Sequence, residues 1–132
     1  MSKNNSKKKV KLHFLKKSNI RNAGIGAFAN IDIKKGRCLG EYKGSYVSKQ
    51  QFERMRNTDY IFQVNKQGKL HHYINGRRGN WITRINGAKT ALQARKINVE
   101  CYQYGQKIYY KAKKNIKKDD EFIVYYGDEY WI

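Results

Sequence analysis

The sequence predicts a mainly β domain, with several short-stranded sheets and one or two short helices. Three observations lead there. Apolar and polar residues alternate in short runs along most of the chain, the period of a strand with one buried face. Turn-forming groups such as Lys35-Gly36, Lys66-Gln67-Gly68 and Asn75-Gly76 separate those runs. The clearest helix signal opens at Ser48. No repeat and no linker divides the chain, so residues 10–132 read as a single domain. Residues 1–9, Ser, Asn and Lys after Met1, read as a disordered basic arm.

The first strand is expected where Val10, Leu12 and Phe14 alternate with Lys and His. Asn22 to Ala27 reads as a loop with two glycines. Ile31 and Ile33 alternate before the turn at Lys35-Gly36, and Cys38 to Tyr42 reads as a strand ended by Gly44. Ser48 with Gln51 three residues on is a capping-box pattern, and Phe52 and Met55 continue a helical stripe. Strands follow at Tyr60 to Val64 and Leu70 to Ile74. Trp81 to Asn86 is short and apolar at Trp81, Ile82 and Ile85. Ile97 to Tyr104 and Gln106 to Ala112 flank Gly105 as a hairpin. Lys118-Asp119-Asp120 then turns into the strand Glu121 to Tyr126.

Composition excludes several classes. The chain has 132 residues, enough for one core without disulfides or metal. Its 18 aromatic residues are too many for a disordered chain. No apolar run approaches the roughly 18 residues of a membrane span. No apolar segment follows the N-terminal charges, so no secretory signal is expected. Two cysteines, Cys38 and Cys101, make neither a disulfide scaffold nor a zinc site, and they fit a reducing interior. The three histidines lack metal-ligand spacing, and no metal site is expected. Gly24-Ile25-Gly26 alone says only that the backbone turns tightly or is approached closely.

Charge is the loudest compositional fact. The chain holds 29 Lys and Arg against 10 Asp and Glu, a net of +19. Residues 1–118 carry +24 and the last 14 carry −5. That asymmetry suggests two surfaces with different partners, the basic one suited to a polyanion. Abundant Lys, Asn, Ile and Tyr with no Pro also match an AT-rich coding bias, which accounts for part of the lysine excess.

Tyrosine is the other oddity. Tyr42, Tyr60, Tyr73, Tyr104, Tyr109, Tyr110, Tyr125, Tyr126 and Tyr130 fall on or beside nearly every expected strand. Such rings serve as amphipathic packing, and converging tyrosines also grip a lysine side chain or a methylated ammonium.

The order of the pieces narrows the choice. The chain runs Gly24-x-Gly26-x-Phe28, Gly40-Glu41-Tyr42-x-Gly44, Asp59 to Phe62, Tyr73-Ile74-Asn75-Gly76, Gly79-Asn80-Trp81, Ile85-Asn86, Asn98, and Glu121 to Tyr130. In that order these residues resemble a SET domain, the protein-lysine methyltransferase domain. Asn80-Trp81 with Asn86, the strand segment Gln106-Lys107-Ile108-Tyr109-Tyr110, and Tyr125-Tyr126-Gly127-Asp128-Glu129-Tyr130 resemble its PR subgroup. The resemblance covers about residues 10 to 131. It implies the SET fold, including a pseudoknot-like C-terminal segment. It also implies transfer of a methyl group from S-adenosyl-L-methionine to a lysine, with a histone tail as the expected substrate and the nucleus as the expected location.

The family's roles carry over by position. Ala23, Gly24 and Ile25 resemble the first cofactor loop. Tyr60 matches a tyrosine reaching the cofactor, and Asn86 with Gly87 the adenosine-contacting pair. Tyr126 matches the catalytic tyrosine. Tyr42 and Tyr110 match tyrosines that wall the target-lysine channel. Asn57, Thr58, Asp59, Tyr60, Ile61, Phe62 and Gln63 resemble the edge along which the substrate peptide adds as a strand. Two positions depart from the pattern. Asn86-Gly87-Ala88 stands where a typical SET domain has Asn-His-Ser, a loss shared by PR domains. Thr83, with Arg84 next, stands where PR domains tend to have Arg.

The implied reaction is direct displacement, which needs alignment and a neutral amine rather than an oxyanion hole. An aromatic channel strips water from the amine and favours its neutral form. Tyr126 would orient the reacting groups, because an ordinary tyrosine ionises near pH 10 and is a poor base. Asp119, Asp120, Asp128 and Glu129 are expected on the side of a cationic tail, and the basic surface on nucleosomal DNA. Tyr130 and Trp131, or a second subunit of a homodimer, are expected to cover the site. Two alternatives stay open: a PR-type module that binds chromatin or protein without catalysis, and a plain basic nucleic-acid-binding β domain. The second explains the charge but not the ordered motifs.

Overall fold

The computed structural model describes residues 10–125. These residues form three sheets, with two single-turn helices between strands. β1 (His13–Lys17) pairs antiparallel with β2 (Ile25–Ala29), setting Phe14 against Phe28. A second sheet uses β3 (Cys38–Glu41), β7 (Asn86–Gly87), β8 (Val99–Tyr104), β9 (Lys107–Ala112) and β10 (Ile123–Tyr125). Its order is β3-β9-β8-β10-β7. In the third sheet, β6 (Lys69–Asn75) lies between β4 (Ser45–Val47) and β5 (Ile61–Lys66). The helices are α1 (Lys49–Glu53) and α2 (Ala91–Ala94), and Trp81–Arg84 is a 3₁₀ turn.

The second sheet positions the site. β10 runs parallel to both neighbours, with Ile123 opposite Asn86 and Val124 opposite both Gly87 and Val99. Parallel pairing needs long crossovers, so β10 joins residues distant in sequence. The core collects where the sheets meet. Ile33, Val64, Ile82, Val99, Ile116, Phe122 and Val124 are buried there together. Each such side chain contributes about 1.5–3 kcal/mol of transfer free energy.

The predicted mainly β class is what the chain adopts. Several elements differ in detail. β1 starts three residues later than the alternation at Val10 suggests. The Gly24 loop gives way at Ile25 to β2, because Ala27, Phe28 and Ala29 are fully buried against β1 and the core. The Ile31–Ile33 alternation yields only a bridge from Ile33 to Ile116. β4 is too short to leave an alternation. Trp81 to Asn86 splits into the 3₁₀ turn and β7. α2 is announced only by Thr90, whose hydroxyl accepts from Gln93 N. At α1 the predicted capping box is complete: Ser48 N donates to Gln51 Oε1 at 2.8 Å and Gln51 N to Ser48 Oγ at 3.1 Å. The basic arm 1–9 and the pseudoknot-like segment lie outside the described residues.

Candidate functional site

The loop between β1 and β2 is shaped from inside by one carboxylate. Glu121 is buried and accepts from Ser18 Oγ at 2.6 Å and from Asn19 N at 2.9 Å. Asn98 holds the segment that leads from that carboxylate into β10. Its Nδ2 donates to Glu121 O at 2.9 Å, and its Oδ1 accepts from Ile123 N at 2.8 Å. Ser18 N closes the loop onto Gly24 O at 2.8 Å. A Cβ on Gly26 would collide with the Glu121 carboxylate, so only glycine fits there.

The same loop turns outward at Gly24. Its φ is +72°, a left-handed conformation suited to glycine, and a Cβ there would meet nothing within 4 Å. Ile25 follows with its side chain 52% exposed. Asn86 Nδ2 donates to Ile25 O at 3.2 Å. That bond joins Ala23, Gly24 and Ile25 to Asn86 and Gly87, so two segments about 60 residues apart share one open wall. An open backbone cradle beside an exposed apolar side chain and an amide suits a ligand with both polar and apolar parts.

A second cluster is aromatic. Tyr42 packs on Phe62 with ring centroids 4.6 Å apart and on Tyr110 at 5.7 Å, and Phe62 meets Tyr110 at 6.0 Å. Tyr42 and Tyr110 are 2% and 0% exposed. The Tyr42 hydroxyl donates to Tyr60 O at 2.9 Å. Gly76 lies against the Tyr42 ring, where any Cβ would collide with it. The Arg84 guanidinium sits 5.0 Å from the centre of the Tyr60 ring. Thr83 is buried and closes the 3₁₀ turn by donating Oγ1 to Asn80 O at 2.8 Å. The departure at Thr83 therefore leaves the turn intact.

β5 is one of the two edge strands of its sheet. Gly76 N donates to Tyr60 O at 2.8 Å, and antiparallel alternation turns the backbone groups of Ile61 and Gln63 away from β6. At Asn65 that outer side is occupied. Gln103 Oε1 accepts from Asn65 N at 3.0 Å, and Gln103 Nε2 donates to Asn65 O. Ile61 N already bonds Thr58 O at 3.3 Å, and Asp59 N bonds Asn57 Oδ1 at 2.9 Å. The stretch Asn57–Gln63 is thus a turn leading into an edge.

The structure brings together Ala23, Gly24, Ile25, Asn86 and Gly87 in one wall. It brings together Tyr42, Tyr60, Phe62 and Tyr110 in another group. Across the second sheet, β10 separates β7 from the β8–β9 hairpin that carries Tyr110. Tyr126, Asp128, Glu129, Tyr130 and Trp131 lie outside the described residues. Asp119 and Asp120 line a cleft of about 650 Å³ shared with Arg21, Arg95, Lys96 and Lys114. Asp120 Oδ2 also accepts from Lys117 N at 3.3 Å, which holds its turn.

Sequence reasoning missed the role of Glu121. The signal was available: an acid opening the apolar run Phe122–Val124 must find partners or stay exposed. It also missed Gln103, for which a lone glutamine on a strand gives no signal.

Comparison with known proteins follows the same lines. Residues 13–132 match the family model described as PR domain zinc finger protein 2, PR domain. The chain is 28% identical over 108 residues to human PR domain zinc finger protein 14, covering 80% of this chain and 18% of that protein. It is 30% identical over 119 residues to the histone-lysine N-methyltransferase set-17 of Caenorhabditis elegans, covering 88% of this chain and 41% of the relative. The chain thus spans less than half of either relative. Among solved structures, the methyltransferase domain of human PR domain-containing protein 2 superposes with a TM-score of 0.72. Identity there is 25%, over 89% of this chain and 79% of that one. The autoinhibited polycomb repressive complex 2, bound to S-adenosylmethionine, also gives 0.72, at 25% identity over 91% of this chain and 16% of that one. Fold, motif order and family model agree that the chain belongs to the PR-domain family, within the SET-domain methyltransferases.

Proposed function

We propose that the chain is a protein-lysine N-methyltransferase that uses S-adenosyl-L-methionine and acts on a histone tail. The observation that carries this reading is the presence of an open backbone wall and an aromatic group, each with one strand in the same sheet. Asn86, bonded to Ile25, stands on β7 to one side of β10, and Tyr110, packed on Tyr42 and Phe62, stands on β9 to the other. The naming of similar proteins as histone-lysine N-methyltransferases supports the same class.

Ala23, Gly24, Ile25, Asn86 and Gly87 would hold the cofactor, with Tyr60 at the boundary. S-adenosylmethionine supplies an electrophilic methyl on a sulfonium. Tyr42 and Tyr110 would wall the lysine side chain and exclude water, favouring the neutral amine. The amine lone pair forms the new N–C bond as the S–C bond breaks, and the extra proton leaves to solvent. Tyr126 would orient amine and methyl. The edge from Asn57 to Gln63 would pair with the substrate backbone, and Gln103 would end that pairing at Asn65. Nuclear location and completion of the site by a second copy belong to the same proposal, as does the organisation of residues 10–132 as one domain after a basic arm.

The test is transfer of labelled methyl from S-adenosylmethionine to core histones and to nucleosomes, with Tyr126→Phe alongside. Label on a histone that is lost in the variant is expected. A second reading, a PR module without catalysis, draws on the burial of Tyr42 and Tyr110. No label and no cofactor binding by calorimetry would select it.

A further inference from the structure

We propose that a cationic notch beside the aromatic group binds the phosphate backbone of double-stranded DNA. The notch, about 670 Å³, lies between the Lys43–Ser45 segment and the Asn75–Asn80 loop, and no carboxylate lines it. Lys43, Arg77 and Arg78 are exposed around it. Among the described residues the one ion pair is Lys111 with Glu100 at 3.9 Å. The three notch cations therefore have no carboxylate partner among the described residues, and all three are exposed to an outside anion.

The notch is also rigid. A Cβ at Gly44 would collide with the Asn75 backbone, and one at Gly79 with the Lys43 carbonyl, so its two sides are in backbone contact. Asn80 clamps them, donating Nδ2 to Glu41 O at 2.9 Å while its Oδ1 accepts from Lys43 N at 3.4 Å. Asn75 Oδ1 accepts from Arg77 N at 3.0 Å, and the Arg84 guanidinium reaches Arg77 O. A fixed base with arginine forks at its rim suits phosphate oxygens better than flexible surface lysines do. Arginine also presents its donors in the planar fork that matches a phosphate.

Position gives the notch a use. Lys43 follows Tyr42 in sequence, and Gly76 is packed on the Tyr42 ring. A cationic tail entering beside Tyr42 would meet these charges and be repelled. Duplex DNA bound in the notch would cancel that repulsion and hold the particle that bears the tail. The choice of duplex DNA over other polyanions rests on the histone reading above; the phosphate chemistry does not.

The experiment is fluorescence anisotropy of the full chain with labelled duplex DNA over a salt series, which needs no turnover. It can therefore succeed or fail independently of methyl transfer. Three forms are compared with the parent: Lys43→Gln with Arg77→Gln and Arg78→Gln; a charge-matched control, Lys34→Gln with Lys35→Gln and Arg37→Gln; and Ser45→Glu, which places an acid in the notch while keeping its cations. The notch triple should weaken binding at least about tenfold and lower the log–log salt slope by roughly 2–3, the value for three phosphates. Ser45→Glu should weaken it in the same direction, and the control triple by less than about threefold. Equal losses for the two triples, or no loss in the notch triple or in Ser45→Glu, would overturn the proposal. Displacement of DNA by polyglutamate at equal charge concentration would replace the nucleic acid with an acidic protein.

Discussion

The two halves of the candidate site are built by opposite means. The loop wall from Ser18 to Ile25 is held by the buried Glu121 carboxylate and the Asn98 amide, bonded at distances of 2.6–2.9 Å. The aromatic group is held by ring packing around Tyr42, Phe62 and Tyr110. Directional bonds fix a backbone shape that must stay open, as at Gly24. Packing fixes a surface that must exclude water.

Mutations should separate the two modes. Tyr110→Ala should have the largest effect, about 3–5 kcal/mol of stability, the usual cost of emptying a buried aromatic site; urea unfolding measures it. Glu121→Ala comes next, at about 2–3 kcal/mol, because Ser18 and Asn19 lose a charged partner inside the protein. Its distinguishing mark is faster amide exchange confined to residues 18–24, which Tyr110→Ala should not reproduce. Gly24→Ala has room for its methyl but must adopt a φ of +72°, a cost of about 1–2 kcal/mol. It should weaken S-adenosylmethionine binding in a calorimeter more than it lowers stability.

The smallest effect is a pH dependence outside both halves. Burial, and then the neighbouring His71, lowers the pKa of His72, and the two Nδ1 atoms lie 2.8 Å apart. The folded state thus binds fewer protons than the unfolded state just below pH 6.5. Stability is full above that value and falls as pH drops from 6.5 through the lowered folded pKa. His13, lowered by burial on Trp81 and then by Lys11, acts in the same direction. His72→Phe should flatten part of that acid limb in thermal melts between pH 7 and 5, leaving the His13 share. An unchanged profile would place the dependence elsewhere.

What was legible followed from local physics. The capping box at Ser48 and the hairpin about Gly105 are readable because neighbours in sequence make them. The grouping of Tyr42 with Tyr110, and of Gly24 with Asn86, was reached through the order of motifs, since no local rule joins residues so far apart. The Glu121 clamp spans 103 residues to Ser18, and a lone acid does not announce its partner. β4 and α2 were missed because three or four residues are too few to show a period. The role assigned to Tyr126 rests on the family pattern alone, and the residue lies outside the described residues.

The placement of β10 between β7 and β8 has a consequence for synthesis. Ile123 to Tyr125 fill the middle of a sheet whose other strands are all made earlier. Until residue 125 has left the ribosome, β7 and β8 have no strand between them. Asn86 on β7 and Tyr110 on β9 then cannot be joined through that sheet. Such long-range pairing is slow, and exposed strand edges invite association with other chains meanwhile. Closure of this sheet is therefore expected only after residue 125 has emerged, and nascent chains halted before Glu121 should be captured by holding chaperones.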